Sequence, residues 1–178
     1  MEYKKKVIDL IGKNIVLTGM PGAGKSTIGV VLAKMLGYQF IDSDLLIQNR
    51  EGDILEHLIE KKGIEGFIAL ENMVNCSIEA EKSVISTGGS ICYCGEALEK
   101  LGENGVIIYI KTDYASLKRR LRSLKKRGVV MRRGSTLRDL YDERVPLYEK
   151  YADVTVDVAG LDLEESIEKI YGEALHWI

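Results

Sequence analysis

The sequence predicts an α/β fold: a five-stranded parallel sheet with helices on both faces. Short apolar, β-rich runs alternate with longer helical patterns along the chain. The 178 residues, 46% of them hydrophobic, suit one domain that buries its own core. Residues able to do chemistry fall just after strands, at Gly19 to Ser26, Asp42 to Asp44 and Gly88 to Ser90. That is where ligands bind in sheets wound by helical crossovers.

Each element follows in order. "NIVLTG" reads as a buried strand, and the helix after it, about Lys25 to Leu36, carries Ile28, Val31, Leu32 and Met35 on one stripe. "YQFIDSD" is a second short strand. Helical patterns fill "LLIQNR", "ILEHLIEKK" and "IEGFIALENMVNCSIEA", and a third strand at "SVIST" stops in the glycines that follow. "GVIIYIK" is the strongest strand signal, with Asp113 placed to cap the basic helix after it. "TLRDLYDERVPLYEKYA" is helical around Pro146, "DVTVDV" is the last strand, and "LDLEESIEKIYGEALHWI" is an amphipathic final helix.

Lys plus Arg total 25 against 27 for Asp plus Glu, which gives no reason to expect a nucleic-acid or membrane partner. Locally, nine basic residues and no acidic one lie between Lys118 and Arg133, so an anion is expected there; a solvated helix face is the plainer alternative, and RNA a more distant one. Three cysteines with no His cluster suggest reduced thiols rather than a zinc site. The start "MEYKKKVIDLIGKN" lacks the apolar core of a signal peptide, and no run is long enough to span a bilayer. A cytoplasmic monomer of one domain, 1–178, is expected. His57 reads as a surface residue, Trp177 as a packing anchor, and Cys92 and Cys94 as candidates to line an acceptor pocket.

Gly19, Gly24, Lys25 and Ser26 fit G-x-x-x-x-G-K-[ST], between a buried strand and an amphipathic helix. The loop's N–H groups must turn inward toward phosphate oxygens, which side chains would obstruct. Gly22, Ala23, Gly24, Lys25, Ser26 and Thr27 are therefore candidate nucleotide-binding residues, with Lys25 on the β and γ oxygens and Ser26 on Mg²⁺. The chain has no N-K-x-D base-reading element of a guanine switch and is short for a motor. Transfer of phosphate from ATP to a small acceptor under a closing lid remains. Two aspartates after a strand suit a metal-bound triphosphate and a proton-accepting base; they equally suit helix capping by Asp42 or Ser43.

"GMPGAGKSTIG", "FIDSD", "GFIALE", "STGGS" and "ERVPLYEKYAD" occur in the order and approximate spacing of shikimate kinases, and the chain resembles that family from Asn14 to about Tyr171. The resemblance implies a P-loop kinase sandwich of three layers with strand order 2-3-1-4-5, an acceptor-binding helical segment at about 44–79 and a lid at about 122–136. It implies transfer of the γ-phosphoryl group of ATP to the 3-hydroxyl of shikimate. Asp42 looks like the aspartate that holds Mg²⁺ through water beside Ser26, and Asp44 like the one that binds acceptor hydroxyls and takes a proton. Gly88 and Gly89 match acceptor-loop glycines, Arg144 the arginine that forks onto the acceptor's carboxylate, and Glu71 the glutamate that orients the site's arginines. Arg120 looks like the arginine over adenine. Arg127 looks like the lid arginine at the transferring phosphate, a role that elsewhere contributes about 10³–10⁵ in rate.

The chain departs from the pattern at the acceptor. Ile68 stands where a second carboxylate-binding arginine is usual, Ser90 where a third glycine is usual, and "RGVV" from Arg127 where the lid start usually reads R-P-L-L. The expectation is an apolar surface from Ile68 in the acceptor pocket and a re-paired or crowded ligand at Ser90. A different small hydroxylated acceptor, or a nucleotide-binding regulator without turnover, are the alternatives that follow.

Overall fold

The structure, a computed structural model, describes residues 13–121, 129–132 and 134–178. Arg127 and most of the expected lid lie outside the described residues.

The strands are β1 (Asn14–Thr18), β2 (Gln39–Asp42), β3 (Ser83–Ser86), β4 (Gly105–Lys111) and β5 (Val154–Asp157). They pair in parallel in the order β2-β3-β1-β4-β5, the order the resemblance implied. Central β1 is buried at every residue, as expected of a strand covered on both faces. Its register sets Leu17 beside Ser86 and Ile108, while Asp42 on β2 pairs with Ser86. Thr18, Ser86 and Asp42 therefore arrive together at the carboxyl edge.

The helices are α1 (Lys25–Leu36), α2 (Ser43–Glu51), α3 (Leu55–Cys76), α4 (Gly95–Glu103), α5 (Tyr114–Leu121), α6 (Leu137–Tyr151) and α7 (Leu163–Ala174). Asp113 Oδ1 accepts from Ser116 N at 2.8 Å, so the expected cap of α5 forms. Capping boxes start α6 at Thr136 with Asp139 and α7 at Asp162 with Glu165. Helix α6 runs through Pro146. The two helical patterns read before β3 join as α3, broken by non-helical Gly63.

Two readings change. Helix α1 buries Ile28, Gly29, Leu32 and Ala33, while Val31 and Met35 stay exposed. Its inner face is set by how closely small residues let it approach the sheet, so larger neighbours turn outward. Helix α4 was not expected; its buried face is only Ala97, Leu98 and Leu101, too short a stripe to stand out.

The main core surrounds β1, β3 and β4, and Trp177 packs at its edge. A second, small cluster of Ile47, Leu58, Phe67, Leu70, Val74 and Val130 joins α2 and α3 to the chain before α6. At the opposite edge of the sheet, buried Asn14 donates from Nδ2 to Ala80 O (2.6 Å) and accepts from Ser83 N (3.0 Å), fixing the entry of β3. Asn14→Ala takes the partner from buried Ser83 N and leaves Ala80 O with only the longer bond from Asn104 Nδ2 (3.4 Å), and should cost about 1–3 kcal/mol. Urea denaturation is the check, and nucleotide affinity should be unchanged because Asn14 lies at the far end of β1.

Candidate active site

The loop between β1 and α1 takes torsions that its glycines permit. Gly19 has φ +146° and Gly24 φ +97°, and a Cβ on Gly19 would lie 2.8 Å from Ile110 O. Buried Lys25 folds back, donating from Nζ to Gly19 O (2.8 Å) and Met20 O (3.1 Å). Burial lowers its pKa to about 8, against the raising effect of Asp44. Ser26 Oγ sits 3.2 Å from Ser86 Oγ, and Ser86 is the β-ladder neighbour of Asp42. Strand spacing thus brings the two residues expected at Mg²⁺ to one edge. A glycine-bearing loop whose backbone is clear of side chains at Gly19 and Gly24, a lysine that bonds only carbonyls among the described residues, and a nearby serine and aspartate fit a magnesium triphosphate.

Asp42 also does what the alternative reading held: its Oδ1 accepts from Asp44 N (3.0 Å) and Leu45 N (3.3 Å), capping α2. Both bonds use the same oxygen, which leaves Oδ2 outside the cap. Burial first, then the charge of Asp42, raises Asp44 to a pKa of about 6. A carboxyl tuned this way in a cleft is a candidate proton acceptor.

The loop expected to meet the acceptor follows β3. Thr87 Oγ1 donates to Leu17 O (2.9 Å), and Gly88 N donates to Ser43 Oγ (3.2 Å). A Cβ on Gly88 would strike Glu71 Oε1 and would lie 2.7 Å from Asp44 Oδ1, so only glycine lets both carboxyls close in here. Arg144, 1% exposed, donates from Nη1 to Gly89 O (2.7 Å), from Nη2 to Val130 O (2.5 Å) and from Nε to Tyr93 OH (3.3 Å). Tyr148 OH donates to the same Gly89 carbonyl. Arg120 Nη1 reaches Gly22 O at 3.3 Å.

These residues meet in one cavity of about 360 Å³. Gly22, Gly24, Lys25, Ser26, Thr27 and Arg120 line one part, and Asp44, Leu55, Phe67, Gly89, Ser90, Val130 and Arg144 another. Three expectations are corrected. Glu71 makes no ion pair with an arginine among the described residues: Ser90 Oγ donates to its Oε2, and burial raises its pKa to about 7. Ile68 does not line this cavity; it borders a neighbouring one of about 320 Å³ with Tyr93, Arg132 and Glu143. It is Phe67 that faces the main cavity, because consecutive residues of a helix point about 100° apart. Cys92 and Cys94 are buried beneath the acceptor loop, with Sγ toward Gly89 O and Ile68 O, and do not line the cavity. His57 is exposed and pairs with Asp53 (2.9 Å), away from the cavity, as a surface residue should. The pairing of Ser90 with Glu71 was missed; no local pattern signals it, because the residues stand on different elements.

Comparison with known proteins agrees with the geometry. The family model for shikimate kinase matches residues 21–174. A shikimate kinase of Thermodesulfovibrio yellowstonii is 34% identical over 164 residues, 90% of this chain and 94% of that one. One from Caldanaerobacter subterraneus is 35% identical over 161 residues, 89% and 94% of the two chains. The solved shikimate kinase of Acinetobacter baumannii in complex with shikimate superposes with TM-score 0.83 at 30% identity, covering 96% and 97%.

Gly19→Ala tests the cradle. An added Cβ meets a main-chain carbonyl that cannot swing aside, and positive φ adds strain of about 1–3 kcal/mol. Titration calorimetry with a non-hydrolysable nucleoside triphosphate should show affinity lowered at least about tenfold.

Proposed function

The chain belongs to the shikimate kinase family, and from that premise we propose that it transfers the γ-phosphoryl group of ATP to the 3-hydroxyl of shikimate. The observation that carries this reading is the continuity of the cavity from the phosphate loop to Asp44, Gly89 and Arg144. A phosphate loop and a candidate acceptor end that open into one cavity are what in-line transfer requires.

In this reading Gly22 to Thr27 hold the triphosphate through N–H groups and Lys25, with Arg120 over the base. Ser26 and Asp42 would hold Mg²⁺, Asp42 through water, and the cap on Oδ1 leaves its second oxygen available for that role. The cation supplies charge neutralisation to the β and γ oxygens. Lys25 exchanges its carbonyl partners for phosphate, which restores the full charge that burial had weakened. Gly88 and Gly89 seat the acceptor, Arg144 holds its carboxylate and Asp44 faces the attacking hydroxyl. As the acceptor oxygen bonds to phosphorus, the bond from phosphorus to the bridging oxygen breaks, and the acceptor's proton passes to Asp44. Arg127 is proposed as the arginine that steadies charge on the transferring group. We further propose a cytoplasmic monomer, since one chain supplies every group named.

A second reading keeps the chemistry and changes the acceptor to another small hydroxylated acid. Ser90 and Ile68 favour it, because neither supplies the charge that an additional arginine would.

A coupled ADP-release assay decides the leading reading: turnover should depend on millimolar shikimate, and its absence sinks the assignment. Asp44→Asn should lower kcat by about 10²–10⁴, the usual worth of a positioned base, with nucleotide affinity retained in titration calorimetry.

A further inference from the structure

Beneath the acceptor end lies a carboxyl that the proposed transfer does not use. Glu71 on α3 is 0% exposed, and Ser90 Oγ is bonded to its Oε2. Its other oxygen, Oε1, has no hydrogen-bond partner among the described residues. The nearby cations bond elsewhere: Arg144 to Gly89 O, Val130 O and Tyr93 OH, and Lys25 to Gly19 O and Met20 O. The titratable groups facing Glu71 are Asp44 from α2, Arg144 from α6, Lys25 from α1 and the thiols of Cys92 and Cys94. Burial raises Glu71 to about 7, with the Asp44 charge adding and the Ser90 bond opposing.

Hydrogen-bond polarity follows from this arrangement. An ionised carboxylate only accepts, so when Glu71 is charged the Ser90 proton must point down to it. The Ser90 oxygen then has only lone pairs left for a ligand. Ser90 lines the same cavity as Asp44, Gly89 and Arg144, so those lone pairs belong to the acceptor end.

We propose that Ser90 is a specificity-determining residue: with its proton committed to Glu71, its oxygen accepts a hydrogen bond from an acceptor hydroxyl and disfavours a carboxylate at that place. The ligand class is a small polyhydroxylated molecule whose acid group, if present, lies against Arg144 instead. Glu71 acts through Ser90 and is a positioning residue. This inference rests on the reading of the chain as a kinase of small hydroxylated acceptors.

The test measures ADP release by wild type, Ser90→Ala, Ser90→Gly and Glu71→Gln with shikimate, quinate and gluconate at pH 6.0 and 8.5. At the higher pH, for whichever acceptor wild type uses, both Ser90 variants should raise KM about 3- to 10-fold, the size of one neutral hydrogen bond, with the loss carried by KM. At the lower pH Glu71 holds a proton and can donate to Ser90 itself, so the contrast should shrink below about twofold. Glu71→Gln keeps a partner for Ser90 without ionising and should flatten the pH dependence of KM. The inference is overturned if Ser90→Ala and Ser90→Gly match wild type in KM at pH 8.5, or if they lower kcat with KM unchanged. Wild type that uses quinate or gluconate but not shikimate overturns the shikimate assignment alone, and the Ser90 comparison then runs on the acceptor used. Wild type that uses none of the three overturns both.

Discussion

Arg144 is the largest side chain buried below the level of solvent contact, and its guanidinium is the group around which the acceptor half is organised. A buried cation is tolerated only where its N–H groups are taken and its charge is answered. Among the described residues no carboxylate does so directly. Carbonyls of Gly89 and Val130 and the hydroxyl and ring face of Tyr93 take that place, the ring centroid 5.1 Å from Cζ. One side chain on α6 therefore ties the loop after β3 to the chain that precedes α6. The Tyr148 hydroxyl, from the next turn of the helix, grips the same Gly89 carbonyl. Its ring is stacked on Tyr109 of β4 at 5.1 Å, so the acceptor loop is anchored through α6 to the sheet.

The same neighbourhood carries three carboxyls, Asp42, Asp44 and Glu71, against the cations Lys25 and Arg144. None of these carboxyls forms a direct ion pair with either cation among the described residues. Burial consequently pushes Asp44 and Glu71 toward the protonated form and Lys25 toward the neutral one. In the proposed reading a polyphosphate and its divalent cation would change that balance: the anion would restore the charge on Lys25, and the cation would answer Asp42. The site is arranged for charges that arrive with the ligand. Asp44, Glu71 and Lys25, all shifted by burial, lie together in this one neighbourhood.

The nucleotide half was legible in the sequence because its determinants are local. The loop from Gly19 to Ser26 is one contiguous stretch whose spacing is dictated by backbone geometry, and "GVIIYIK" can hardly be anything but a buried strand. The aspartates of "DSD" were legible as a pair, with separate roles implied by the resemblance and helix capping left open beside them. That Asp42 caps α2 through a single oxygen follows from its extended backbone at the junction of β2 and the helix, which no spacing in the sequence displays. The acceptor half was harder to read, since its decisive contacts join α3, the loop after β3 and α6. Ile68 and Phe67 are adjacent in sequence, yet helix geometry sends only Phe67 into the main cavity. Glu71 was expected beside arginine and lies under Ser90, a pairing across elements that no spacing rule encodes.

This difference in legibility has an energetic counterpart. The phosphate loop leaves β1, whose neighbours β3 and β4 bond to it along its length, and the large core encloses all three strands. A substitution that moved the loop would disturb the most buried part of the molecule. The acceptor end leans on α2 and α3, which close over a cluster of only six buried side chains, Val130 among them. Small clusters repack at lower cost than large ones, because fewer neighbours must shift together. Ser90 stands between the two: its neighbours Ile91 and Cys92 belong to the main core, while its hydroxyl satisfies a carboxylate on α3 that would otherwise lie buried without a donor. Changes at position 90 are nevertheless bounded by its neighbour Gly89, where an added Cβ would lie only 2.6 Å from Pro21 and so push against the phosphate loop itself.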